Sequence, residues 1–176
     1  MSWNKRRKQD LQAEETVYPA ALEFLARREY AESELRSRLQ QRGAEEKAID
    51  QALARLTQQG YLDAQRFALS RVRERREFNH RGRAYIQREL RELEISEDII
   101  QIALDEEYPP EVESALLEQL IRREVRRWPK DAPPEKLRKL TASLQRRCMG
   151  QGFPAGEIYR LLRQVKEDGW EAEEEI

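Results

Sequence analysis

Arginine is the residue type in this sequence with the clearest chemical use, because its guanidinium group binds anions. Eight arginines and only three acidic residues lie between residues 71 and 91. A guanidinium presents a rigid fork of N–H donors, which pairs with a phosphate or a carboxylate through two hydrogen bonds. This density predicts a surface for nucleic acid or for an acidic protein. We name this set the first basic cluster, and its members are Arg71, Arg73, Arg75, Arg76, Arg81, Arg83, Arg88 and Arg91.

A second run of cations lies between residues 122 and 147, where ten basic residues stand against three acids. It predicts a second candidate surface for nucleic acid or a partner. Residues 92–118 hold ten acids and no lysine or arginine. The alternative to partner binding is therefore that the basic residues form ion pairs with acids of the same chain, for example Glu106, Glu107, Glu111 and Glu113. We name the following residues the second basic cluster: Arg122, Arg123, Arg126, Arg127, Lys136, Arg138 and Lys139.

Two features near the first basic cluster could add to anion or nucleic-acid binding. Arg81, Gly82 and Arg83 stand at a predicted loop-to-helix junction, where backbone N–H groups and the helix dipole attract an anion. Phe78 and Tyr85 are the aromatic residues there that could stack on bases. Their helical placement favours packing in the core over stacking.

Catalytic chemistry has little support in this composition. His80 and Cys148 are the only histidine and the only cysteine, and the seven glycines form no phosphate-binding loop. We interpret His80 as a loop residue and Cys148 as a buried apolar residue rather than a reactive thiol. The sequence predicts a protein that is not an enzyme and that has no catalytic, cofactor-binding or metal-ligating residue.

An internal repeat determines the predicted fold. Leucine and isoleucine recur with spacings of 4, 10 and 4 in two segments, and the third segment has one cysteine in the pattern. A spacing of four places two residues on one face of a helix, and a step of ten allows a turn and a second helix. The three sets are Leu35, Leu39, Ile49 and Leu53; Ile86, Leu90, Ile100 and Leu104; and Leu144, Cys148, Ile158 and Leu162.

The turn between the paired helices also recurs. Gly43 and Gly152 occupy the position just after a helix, where a left-handed conformation ends it at low cost. The middle copy has Glu94 at this position, for which that conformation costs about 1 kcal/mol. We therefore predict a reshaped turn at Glu94.

A further amphipathic helix precedes each pair, the first near residues 17–28 with Leu22, Leu25 and Ala26 inward. The predicted fold class is all-α: three tandem three-helix repeats forming an elongated, curved array. The predicted boundaries are a basic flexible N-terminal arm at 1–15, repeats at 16–62, 63–109 and 110–168, and an acidic tail at 169–176.

Several short motifs resemble the RecX family, the bacterial regulators of the RecA recombinase. The resemblance covers roughly residues 16–166 and departs from the family pattern at Ala31, Ala64 and Glu94. Ala31 replaces the usual serine, which removes a capping box with Glu34. The motifs are Ala20-Ala-Leu-Glu-Phe-Leu-Ala-Arg-Arg-Glu29, Ser33-Glu34-Leu35-Arg36 with Leu39, Gly60-Tyr61-Leu62-Asp63, Arg66-Phe67-Ala68, Arg81-Gly82-Arg83, Ile86, Arg88-Glu89-Leu90, Ile95-Ser96, and Gly152-Phe153 with Ile158.

The resemblance implies a non-enzymatic protein that binds in the groove of the RecA–DNA filament. It implies inhibition of ATP hydrolysis, strand exchange and coprotease activity, which limits recombination and the SOS response. The implied partner is the RecA recombinase filament, and single- or double-stranded DNA is a second candidate. We expect the protein to be a monomer. We also expect it in the cytoplasm, because no apolar run is long enough to cross a membrane and no signal peptide is present.

The alternative function is a DNA-binding protein that uses tandem helix-turn-helix-like units. Such a protein reads base edges from the start of a recognition helix. The helix starts near Glu45-Glu46 and Glu97-Asp98 are acidic, which argues against insertion into the groove. An enzyme of another class would need convergent polar groups, for which the sequence gives no sign.

Overall fold

A computed structural model describes residues 13–167 of the protein. Within that range every regular element is a helix, which confirms the all-α prediction. The predicted N-terminal arm lies mostly outside the described residues, since α1 begins at Glu14, and the predicted acidic tail lies outside them entirely. The helices are α1 (Glu14–Leu25), α2 (Glu32–Gln41), α3 (Glu46–Gln58), α4 (Ala64–Glu77), α5 (Arg83–Glu92), α6 (Glu97–Glu107), α7 (Pro110–Val125), α8 (Pro134–Gly150) and α9 (Ala155–Glu167).

The repeat positions form the buried face of the paired helices. All twelve side chains of the three predicted sets are at most 3% exposed. Each set takes two residues from α2, α5 or α8 and two from the helix that follows. Burial of an aliphatic side chain of this kind stabilises a fold by about 2 kcal/mol. The prediction of three repeated helix pairs is confirmed.

The described chain divides into two compact units. The N-terminal unit comprises the described residues up to Arg71 together with Glu89–Ala103, and the C-terminal unit comprises Val72–Arg88 together with the described residues from Leu104 onward. Helices α4, α5 and α6 therefore contribute residues to both units. The predicted boundaries at 16–62, 63–109 and 110–168 stay a prediction.

Each unit has its own apolar cluster. In the N-terminal unit, Val17 and Ala21 of α1 pack with Leu35, Ile49 and neighbouring residues of α2 and α3. In the C-terminal unit, side chains of α7, α8 and α9 form the second cluster together with Trp128 and Phe153. Leu22 and Leu25 of α1 pack half-buried against the N-terminal cluster, as predicted, whereas the prediction for Ala26 is wrong, because Ala26 is exposed just after α1 ends at Leu25. The helix begins and ends three residues earlier than predicted, and Val17 and Ala21, which the prediction did not name as inward residues, are fully buried.

The starts of α4 and α2 differ in how they are capped. Asp63 accepts a hydrogen bond of 2.9 Å from the backbone N–H of Arg66, which satisfies one of the unpaired donors at the start of α4. Ala31 gives α2 no side-chain cap. Glu34, which a capping box would use, instead pairs with Arg28 at 3.1 Å.

The predicted reshaping of the turn at Glu94 is wrong. Glu94 adopts φ 61°, the left-handed conformation that Gly43 and Gly152 adopt at the equivalent positions. Its N–H bonds to Arg91 O at 3.0 Å and that of Ile95 to Leu90 O at 3.1 Å, the same pattern as in the other two turns. Ile95 is buried, and Ser33 donates a hydrogen bond of 2.7 Å to Leu93 O. These contacts offset the strain, so the repeat geometry prevails over the preference of one residue.

Glu94→Gly is therefore expected to stabilise the protein by about 1 kcal/mol, because glycine adopts this conformation without strain. Urea unfolding measures the change through the midpoint. Glu94→Ala is the matched control, since it removes the same carboxylate and keeps the strain. Equal stability of the glycine and alanine variants would show that the turn stores no strain.

Candidate partner-binding surfaces

The first basic cluster is distributed over α4, α5 and the loop between them. Arg71 and Arg91 belong to the N-terminal unit, and the other six arginines belong to the C-terminal unit. Most of these guanidinium groups have partners within their own unit. Three acids of the 92–118 segment pair with arginine side chains of this cluster, namely Glu97, Asp105 and Glu107.

Arg83 is bound to the end of α6 by hydrogen bonds and an ion pair. Its Nη1 donates to the backbone oxygens of Leu104 at 2.9 Å and Tyr108 at 2.5 Å, and its Nη2 pairs with Asp105 at 2.8 Å. The side chain is only 17% exposed. Arg83 therefore caps the C-terminal end of α6, where carbonyls lack partners in the helix. Charge reversal at Arg83 would test folding rather than partner binding.

The predicted anion site at the start of α5 is occupied by the chain's own carboxylate. Glu113 Oε1 accepts a hydrogen bond of 2.6 Å from the backbone N–H of Arg83. Glu113 is 6% exposed, and burial raises the pKa of its carboxyl above the ordinary value. Glu113 of α7 thus caps the start of α5 from within the C-terminal unit.

Glu107 holds two more arginines of the first basic cluster. Arg73 pairs with its carboxylate, with one contact of 3.2 Å from Nε, and Arg76 donates to its backbone oxygen. Arg76 also pairs with Glu77 at 2.6 Å. The hydrogen bond from Arg73 holds the pKa of the Glu107 carboxyl below its ordinary value.

Glu107→Gln is expected to reduce the loss of stability on acidification. A carboxyl whose pKa is lower in the folded than in the unfolded state contributes stability above the unfolded pKa, and that contribution is lost as pH falls through the folded pKa. The wild type should therefore lose more stability than the variant between about pH 5 and about pH 3. Urea midpoints at a series of pH values measure this, and parallel curves for the two proteins would contradict it.

Three other arginines of the cluster contact partners that are 4 to 18 residues away in the sequence. Arg91 pairs with Glu97 through two hydrogen bonds of 2.8 Å, and Arg71 lies 3.6 Å from a Glu89 oxygen. Arg75 donates to Asn79 at 2.9 Å. The role of the first basic cluster in binding a partner stays a prediction.

The two aromatic residues of this region differ in their surroundings. Tyr85 is half-buried, with the guanidinium carbons of Arg81 and Arg88 at 4.4 and 5.3 Å from its ring centroid. Phe78 is 78% exposed, so the prediction that it packs in the core is wrong. The reason is that α4 ends at Glu77, which leaves Phe78 in the loop and off the apolar face of the helix.

The second basic cluster lies on the C-terminal unit, at the end of α7 and the start of α8. Arg122 pairs with Glu118 at 2.8 Å, and Lys139 pairs with Glu135 at 2.8 Å while 77% exposed. The other five side chains are exposed and have no ion pair within residues 13–167: Arg123, Arg126, Arg127, Lys136 and Arg138. Among the described residues, exposed cations without an ion-pair partner are therefore concentrated here.

Lys130 belongs with this surface, although the predicted set leaves it out. It is exposed in the connection between α7 and α8 and forms no ion pair with any described residue. Lys130 lies within the run of basic residues between 122 and 147, and this run could have identified it from the sequence.

Neither candidate for thiol or imidazole chemistry has a catalytic setting in the described part of the chain. Cys148 is 1% exposed, and burial raises the pKa of its thiol. His80 is a loop residue with φ 50°, and its Nδ1 lies 3.3 Å from Arg76 O. Residues 13–167 contain no group of histidine, cysteine and acidic side chains arranged to hold a metal ion. No helix in that range is long and apolar enough to span a membrane.

Comparison with protein families identifies the first two repeats. Residues 18–56 match the first three-helix domain of RecX, and residues 63–104 match the second. The fold is also similar to the crystal structure of RecX from Lactobacillus salivarius, with a TM-score of 0.72, 19% identity, and coverage of 88% of this chain and 97% of that one.

Curated relatives extend the similarity beyond these two domains. The regulatory protein RecX of Xanthomonas campestris pv. campestris (strain B100) is 35% identical over 157 residues, which is 88% of this chain and 91% of that protein. The regulatory protein RecX of Oceanobacillus iheyensis is 30% identical over 149 residues, or 85% of this chain. The chain spans about half the length of this second relative, 53%. The similarity to the Xanthomonas protein covers nearly the full length of both proteins, and the chain therefore belongs to the RecX family.

Proposed function

We propose that this protein is a non-enzymatic regulator of a RecA recombinase, and that it acts by binding the recombinase filament on DNA. It mainly inhibits ATP hydrolysis, strand exchange and coprotease activity, and so limits recombination and the SOS response. The observation that carries this proposal is the 35% identity to a regulatory protein RecX over 91% of that relative's length. The protein acts as a monomer in the cytoplasm and needs no cofactor.

The second basic cluster is the surface that we assign to the filament. Five of its cations have no acidic partner among residues 13–167, so their charge is available to phosphate or carboxylate groups. Most arginines of the first basic cluster, by contrast, are paired with acids or carbonyls of the chain. An exposed cation without a partner can meet an anion without first breaking an internal ion pair.

Sequence-specific DNA reading by the helix pairs has less support. The first turn of α3 carries Glu46, and that of α6 carries Glu97 and Asp98. A recognition helix enters the major groove with its N-terminal residues close to base edges and phosphates. Acidic side chains there would be repelled by the phosphates.

The test is DNA-dependent ATP hydrolysis by the recombinase from the same organism, titrated with this protein at fixed salt. Binding to single-stranded DNA without recombinase is followed in parallel by fluorescence anisotropy. We expect inhibition at concentrations well below those that saturate bare DNA. Inhibition that appears only as bare DNA saturates would indicate competition for DNA and would favour the DNA-binding alternative.

A further inference from the structure

The loop between α4 and α5 presents an aromatic ring to solvent. Phe78 is 78% exposed, more than any other large apolar side chain in the described part of the chain. Single exposed apolar residues are common on proteins and need no explanation by themselves. The backbone that carries Phe78, however, is fixed by hydrogen bonds and by close packing.

Hydrogen bonds fix this loop at successive residues. The N–H of Arg81 bonds to Arg75 O at 3.0 Å, which folds the loop back on α4, and that of Gly82 bonds to Gln151 O at 2.9 Å. Arg75 donates to the Asn79 side chain at 2.9 Å. His80 adopts a left-handed φ of 50°, a conformation that is retained only when surrounding contacts determine it.

Close backbone packing prevents the end of the loop from shifting. A Cβ added to Gly82 would lie 2.4 Å from Gly152 O, and one added to Gly152 would lie 2.5 Å from Tyr85 N. The two glycines therefore bring the start of α5 and the turn after α8 into direct contact within the C-terminal unit. A side chain carried by a fixed backbone loses less conformational entropy on binding than one on a mobile loop, which favours its use as an anchor residue in an interface.

The four charged residues that precede Phe78 in the sequence, 74–77, balance one another in sign. Arg76 contacts Glu77 at 2.6 Å and the backbone oxygen of Glu107, and Arg75 contacts Glu74 at 3.3 Å. Phe78 thus directly follows a charged segment with two arginines and two glutamates, whose formal charges cancel. This arrangement fits an apolar pocket with a polar border on a folded protein. A platform for single-stranded nucleic acid would instead need a positive groove that follows the phosphates.

We propose that Phe78 is an anchor residue that inserts into an apolar pocket on a protein partner. This inference rests on the proposed function, in which that partner is the recombinase filament. Phe78 of the α4–α5 loop thus makes a contact with the partner that is separate from the contact made by the second basic cluster. The ring supplies the apolar contact, and the hydrogen-bonded loop fixes the position of the backbone that carries it.

The experiment uses the full chain and measures the concentration needed for half-inhibition of recombinase ATP hydrolysis. Phe78→Ala is expected to raise this concentration by about tenfold or more, as for an interface anchor. Phe78→Leu, which keeps an apolar side chain of similar size, should stay within about threefold of wild type. Tyr159→Ala is the matched control, since Tyr159 is another aromatic residue of this unit and is 57% exposed, and it should change the value by less than about twofold.

Thermal unfolding and bare-DNA anisotropy complete the test, and neither should change in Phe78→Ala. Equal inhibition by Phe78→Ala and wild type would overturn the assignment of Phe78 and leave the proposed function intact. A Leu variant as weak as the Ala variant, with reduced binding to bare DNA, would show that the ring stacks on bases and would also overturn it. Absence of inhibition by wild type would overturn the proposed function, and the anchor with it.

Discussion

Gly82→Ala is expected to destabilise the C-terminal unit by about 3 kcal/mol. The new methyl group would lie 2.4 Å from Gly152 O and 2.7 Å from Phe153 N, and backbone atoms cannot rotate out of the way as a side chain can. Relief of the clash would also stretch the hydrogen bond from Gly82 N–H to Gln151 O. The start of α5 and the turn after α8 would therefore have to separate.

Urea unfolding followed by circular dichroism measures this change, and Gly150→Ala is the matched control. Gly150 is the last residue of α8 and has no atom within 4 Å of an added Cβ. Alanine has the higher helix propensity, so the control should be unchanged or more stable by up to about 1 kcal/mol. A Gly82→Ala protein as stable as wild type would mean that the two glycines do not pack against each other.

Reversal of three cations in the second basic cluster is expected to have the largest effect on activity. The triple variant Arg123→Glu, Arg126→Glu and Arg127→Glu replaces exposed positive charge at the end of α7 with negative charge. The concentration for half-inhibition of the recombinase should rise by about 100-fold or more, if each lost contact costs about 1 kcal/mol and repulsion adds to it. The salt dependence of binding should also decrease.

The matched control reverses Arg27, Arg38 and Lys47, which changes the net charge of the chain by the same amount. These three residues are exposed, lie outside both basic clusters, and form no ion pair with other described residues. The control should inhibit within about threefold of wild type, because long-range charge effects are screened in salt. Equal losses in both variants would indicate a general effect of net charge, and the second basic cluster would not be the binding surface.

The repeat could be predicted from the sequence because helical periodicity is a local property. A spacing of four residues fixes which side chains share a face, and all twelve predicted positions are buried. Gly43 and Gly152 likewise marked two helix ends through a conformational preference that belongs to the residue itself. The same reasoning failed at Glu94, where the burial of Ile95 and the bond from Ser33 outweigh a local strain.

The charge pairing could not be predicted, because it depends on which helices come together. The sequence offered the arginines of residues 71–91 as one surface, and it offered pairing with later acids as the alternative. Only the fold shows that Arg83 reaches the carbonyls of Leu104 and Tyr108, or that Glu113 caps α5. The exposure of Phe78 depended on the end of α4, and helix ends are the least predictable feature of a helix.

Co-sedimentation with preformed filaments tests the central claim most directly. Recombinase filaments are assembled on single-stranded DNA with a slowly hydrolysed ATP analogue and mixed with this protein, and the amount in the pellet is compared with that for DNA alone. We predict that the protein sediments with filaments in a saturable ratio to the recombinase and that the triple Arg→Glu variant stays in the supernatant. Sedimentation with bare DNA but not with filaments would contradict the proposal that the filament is the target.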